Sequence, residues 1–109
     1  MSKKIIVMIK EPGRIPRHVA ISDTLDNLQR TVGGYIETVT ICSDAVLIVD
    51  EEGRIKGKEW CCNIAGLDLY GTVIMCGVDG EEFADLPVDW RCLKIMFPQL
   101  WRESWPLMK

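Results

Sequence analysis

Apolar positions in this chain fall into two kinds of run. Residues 5–9 (Ile, Ile, Val, Met, Ile) and 45–49 (Ala, Val, Leu, Ile, Val) are unbroken and bounded by charged or turn-forming residues. Runs of that length predict strands buried on both faces. Residues 71–77, holding Thr72 to Cys76 between two glycines, predict a further strand, closed by a turn at Asp79 and Gly80. Elsewhere the pattern alternates. Arg17, Val19 and Ile21 oppose His18 and Ala20, while Tyr35, Glu37, Val39 and Ile41 oppose Ile36, Thr38, Thr40 and Cys42. Alternation of this kind predicts half-exposed strands, the first pairing back on residues 5–9 through the tight link at 12–16.

Leu25, Leu28 and Val32 share one helical face. Ser22 or Asp23 is the expected N-cap, and Gly33 with Gly34 the stop. A helix of about ten residues is stable only when docked on a sheet. Residues 54–58 are expected to pair briefly with 45–49 across the acidic turn at 50–53, and residues 59–70 to be irregular. Leu93, Met96, Phe97, Leu100 and Trp101 keep a helical spacing interrupted by Pro98, which predicts a helix over about 88–96, a break and one further turn. The sum is a single α+β domain over 1–109: a small, mainly antiparallel sheet, one helix between strands 2 and 3, and a C-terminal helical segment. An α+β core spans 1–86 and a Trp-rich tail 87–109.

Composition narrows the function classes. With 109 residues, 48% apolar content and a net charge of −3, the chain suits one folded domain and not a disordered one. A pI near 5.1 argues against nucleic acid as a partner, since non-specific binding there needs a basic surface. Charge is nevertheless uneven, net +4 over residues 1–20 and −5 over 79–89. Lys10, Arg14, Arg17 and His18 therefore form a candidate anion-binding set. No apolar run approaches the length that crosses a bilayer, and residues 5–9 are too short for a signal peptide core. A cytoplasmic protein without membrane contact is expected.

The five cysteines include no Cys-x-x-Cys pair, and the chain has one histidine. That pattern predicts structural thiols, with no metal and no cofactor. Cys42 and Cys76 are expected in the core, and the side chains of Cys61 and Cys62 should diverge on a strand. Gly33 and Gly34 follow a helix, the wrong end for a phosphate cradle, and no phosphate loop of the Walker type occurs. His18 has no nucleophile brought to it by the sequence. The pairs Glu51–Glu52 and Glu81–Glu82 sit in turns, where solvation outcompetes general acid chemistry. The chain is therefore expected not to be an enzyme.

Aromatic residues are the remaining signal. Trp90, Phe97, Trp101 and Trp105 load a short tail, and such side chains dominate both cores and interfaces. Covering the second face of the sheet and docking a partner or second copy are both open for them. Tyr35 and Glu37 share a strand face and form a further candidate interface spot, although packing of Tyr35 against the helix end is the favoured expectation.

Glu11-Pro12-Gly13, Val32 to Glu37, Asp50-Glu51-Glu52-Gly53 and the stretch from Gly71 through Asp79-Gly80-Glu81-Glu82-Phe83 together resemble the domain of unknown function family 3846. The resemblance covers about residues 4–86. It implies a compact α+β fold and a setting in phages, plasmids or other mobile elements, and it supplies no catalytic residues. The expected function is a non-enzymatic accessory module that binds a protein or itself, a homodimer being one form. The alternative is a small anionic-ligand or nucleotide-binding module using the basic N-terminal segment.

Overall fold

The computed structural model describes residues 3–64, 66–87, 92 and 95–102. Its centre is a six-stranded antiparallel sheet. Five strands run in the order β2 (Arg17–Ser22), β1 (Lys4–Lys10), β7 (Val73–Asp79), β4 (Ala45–Asp50) and β3 (Ile36–Cys42), and β8 (Glu82–Ala84) pairs with β7. Every residue of β4 is buried, as the unbroken apolar run predicts for a strand covered on both sides.

The two faces carry separate cores. One holds Ile5, Val7, Ile9, Val46, Ile48, Ile74 and Cys76 beneath Leu28 and Val32 of the helix α1 (Leu25–Val32). The N-cap is Thr24, one residue beyond the expected pair: its hydroxyl accepts from the Asn27 amide at 3.2 Å. Leu25, expected inward, occupies the first turn and is exposed. Gly33 ends the helix at φ +84°, a left-handed conformation that glycine adopts without strain.

The opposite face holds Met8, Leu47, Val49, Val73 and Met75. Its cover is a second, two-stranded sheet of β5 (Trp60–Ile64) and β6 (Leu67–Tyr70). The stretch expected to be irregular thus holds two paired strands, Trp60–Ile64 and Leu67–Tyr70. A register shift between Trp60 and Cys62 places an extra residue in β5. Such a bulge breaks the alternation of side chains, so Cys61 and Cys62 both enter the core instead of diverging. Residues 51–57 form successive turns and make no strand with β4. Cys76 is buried as expected, whereas Cys42, at the end of an edge strand, is exposed.

β1 and β7 pair only from Met8 to Lys10. Nearer the start of β1 they separate, and residues 82–86 occupy the gap. The Ile6 amide donates to the Asp85 carboxylate at 2.8 Å, and the Ile6 carbonyl accepts from the Leu86 amide at 2.8 Å. A Cβ on Gly77 would collide with the Asp85 carbonyl, so that close approach requires glycine.

The C-terminal segment completes the second core. α2 (Gln99–Arg102) follows Pro98, and Leu100 is fully buried with Met8, Leu47 and Ile64. Most of the helix expected over 88–96 lies outside the described residues, as do Trp90 and Trp105.

Candidate functional site

Pro98 interrupts the tail, and the residues around it divide between two environments. Phe97, Leu100 and Trp101, at i, i+3 and i+4, turn inward onto the hairpin-side core. Short-range bonds hold the turn: the Leu100 amide donates to the Phe97 carbonyl at 3.1 Å and the Trp101 amide to the Pro98 carbonyl at 3.2 Å. Ile95 and Met96 lie on the outside, 80% and 60% exposed. Trp101 is half-buried and, with Met8, Pro16 and His18, lines an open cavity of about 240 Å³. The tail thus covers part of the sheet and also presents apolar area to solvent. Helical spacing identified Phe97, Leu100 and Trp101 as one stripe, but it placed Met96 with them.

The four candidate anion-binding residues do not converge. Lys10 is fully buried at the end of β1, its ammonium donating to the Glu11 carbonyl at 3.0 Å. Arg14 is exposed in the 11–14 turn. Arg17 and His18 are adjacent on β2 and so point to opposite faces. Arg17 Nε lies 3.8 Å from Glu11, while His18 faces the Trp101 cavity. Tyr35 does not pack against the helix end: it is 69% exposed, just before β3. Glu37, two residues on, borders a smaller cavity of about 120 Å³ with Asp50, Arg54, Asp68 and Tyr70. Hydrogen bonds from the Trp60 indole and the Asn63 amide, with the Arg54 charge, lower the Asp68 carboxyl below its ordinary value.

The most organised polar cluster is one the sequence reading did not single out. The side chain of Asp50, at the end of β4, is buried, and its Oδ2 lies 2.7 Å from Lys56 Nζ and 2.6 Å from Lys58 Nζ. Both ammoniums also reach the C-terminus of α1: Lys58 donates to the Val32 carbonyl at 2.7 Å, and Lys56 to the Gly33 carbonyl at 3.1 Å. Asp50 Oδ1 accepts from the Glu52 amide at 2.9 Å. Burial alone pushes this carboxyl up, but the two lysines and the Glu52 amide outweigh it and hold it at about 2. Cations at a helix C-terminus are favourable by themselves; here a shared carboxylate fixes them to the sheet. A Cβ on Gly34 would fall within 2.7 Å of Lys56 Nζ and Asp50 Oδ1. The available signals were the paired glycines after the helix and the lysines after the acidic turn.

Among the described residues, no three His, Cys, Asp or Glu side chains come together as a metal ion would require. No helix among them is long and apolar enough to cross a membrane. Glu51 and Glu52 are exposed in a turn, and Glu81 and Glu82 are exposed where the turn after β7 passes into β8, so Glu82 is a strand residue and not a turn residue.

Comparison with known proteins bears on the whole architecture. The family described as Domain of unknown function (DUF3846) matches residues 3–95, which takes in all eight described strands and α1. No curated protein and no solved structure matches. With most of its length matched, the chain belongs to the DUF3846 family.

Proposed function

We propose that this protein is a non-enzymatic, cytoplasmic accessory module of a mobile element that works by binding another protein. The observation that carries this reading is the exposed pair Ile95 and Met96 beside the half-buried Phe97 and Trp101. Apolar and aromatic side chains grouped at a surface supply binding energy through desolvation, and one aromatic anchor beside a cavity is the usual centre of such a contact. Dispersal of Lys10, Arg14 and Arg17 weighs against an anion cradle. The mobile-element setting rests on family resemblance, and the module needs no cofactor to act in this way.

The test is affinity capture from a plasmid- or phage-bearing bacterial host with the native chain and an Ile95→Asp, Met96→Glu double variant. The native chain is expected to retain a defined protein that the double variant loses, with both melting at the same temperature. Equal capture by the two would refute the reading. A second reading draws on the cavity at His18 and Trp101, which would admit a small planar ligand. Saturable thermal stabilisation by one nucleotide, lost in His18→Ala, would favour it over protein binding.

A further inference from the structure

The sheet ends on β3, and the hydrogen-bonding direction of that edge follows from one turn contact. Tyr35 stands opposite Glu51, in the register that pairs Ile36 with Asp50, and the Tyr35 carbonyl accepts from the Glu51 amide at 3.0 Å. In an antiparallel ladder, residues alternate between those bonded to the partner strand and those directed away from it. Glu37 and Val39 therefore bond to Val49 and Leu47 of β4, while the amides and carbonyls of Ile36, Thr38 and Thr40 point out of the sheet.

Edge strands are normally guarded by lysine, proline or inward charge. β2, at the other edge, follows Pro16 and carries Arg17 and His18. β3 carries one charge, Glu37, and five β-branched residues in seven. A bulge interrupts its pairing only after Thr40, leaving 36–40 regular. Ile36, Val39 and Ile41 are half-buried, and Tyr35 before them is largely exposed.

We infer that β3 is a self-pairing edge: two copies of this chain join antiparallel through residues 36–40 about a two-fold axis at Thr38, continuing the sheet across both. The register is set by the outward groups. With Thr38 opposite Thr38 of the second copy, Ile36 meets Thr40, and all three outward residues find bonded partners. Glu37 then faces Val39 and not a second Glu37, so no like charges are opposed. A Thr–Thr pair at the centre is among the favourable cross-strand pairs. The self-complementarity of this short segment selects a second copy over an unrelated strand. This inference is independent of the Ile95 and Met96 surface, which lies in the C-terminal segment.

The experiment is sedimentation equilibrium of the full chain over a wide concentration range, beside Thr38→Lys, Thr38→Pro, Ala20→Lys on the opposite edge, and the Ile95→Asp, Met96→Glu variant. Native protein is expected to rise from 12.4 kDa toward twice that mass. Thr38→Lys sets two ammoniums face to face at the axis, and Thr38→Pro removes an outward amide without touching the β4 ladder; each should weaken association at least about tenfold. Circular dichroism and melting confirm folding, and Thr38→Lys carries the test if proline disturbs the strand. Ala20→Lys and the Ile95, Met96 variant should dimerise as the native chain does. A native protein that stays at 12.4 kDa throughout, or a dimer insensitive to Thr38→Lys, overturns the inference.

Discussion

Replacing Asp50 by asparagine removes the charge that joins Lys56 and Lys58 while keeping the shape of the side chain. The native carboxyl titrates at about 2 against an ordinary 3.8. Ionisation therefore favours the folded state by about 2 kcal/mol at neutral pH, since each tenfold change in proton affinity is worth ~1.4 kcal/mol. Because the folded value is depressed, this contribution is complete above about pH 4 and disappears as pH falls through about 2. At pH 3 roughly half of it survives. The side-chain amide of the Asp50→Asn variant cannot ionise, so the stability gap between native and variant should be about 2 kcal/mol at pH 7 and about 1 kcal/mol at pH 3. In a domain of this size the neutral-pH gap corresponds to a melting temperature lower by roughly 10 °C. Urea titrations followed by tryptophan fluorescence at the two pH values measure both numbers. A gap that is absent at pH 7, or that stays constant between pH 7 and pH 3, would refute the assignment of Asp50 as the charged hub.

Other outcomes test the packing. Leu100→Ala should cost about 2–5 kcal/mol in urea unfolding, because Leu100 is fully buried in the hairpin-side core; a cost near zero would mean that the tail is not part of that core. Gly77→Ala should lower stability by at least about 1 kcal/mol through the clash with the Asp85 carbonyl, and hydrogen exchange should show the Ile6 and Leu86 amides losing protection together. Cys42 and Cys92 are exposed whereas Cys61, Cys62 and Cys76 are buried, and burial, with a smaller contribution from Asp23, pushes the Cys76 thiol up to about 12. A thiol reagent should therefore label the two exposed cysteines in native protein and the other three only after unfolding.

Strands β1, β4 and β7 were legible in the sequence because each lies between two covered faces, which leaves a continuous apolar run as its trace. The hairpin of β5 and β6 was not. The bulge at Cys61 destroys the period-two pattern, and Asn63 and Asp68, bonded to each other at 3.1 Å, read as loop residues. β8 is three residues long, too short to leave any period. Cys42 looked like a core residue because it follows Ile41 in a β-branched stretch, but edge position, which no local pattern records, decided its exposure. Lys10 misled in the opposite sense. A lysine after an apolar run reads as the solvent-facing end of a strand, yet its ammonium finds the carbonyl of the next residue and stays inside. The C-terminal stripe was visible by spacing, and its division between an exposed Met96 and an inward Phe97, Leu100 and Trp101 was not.

The segment wedged between β1 and β7 has a consequence for how the chain acquires its fold. Met8 and Met75 stand side by side, and Ile6 is met by Leu86, so β1 cannot be completed until some eighty residues have followed it. Such long-range closure delays commitment and slows folding into the millisecond-to-second range typical of sheets built from distant segments. A chain cut just before residue 82 would leave the early part of β1, around Ile6, open on that side, and would present nascent apolar strand to whatever lies nearby.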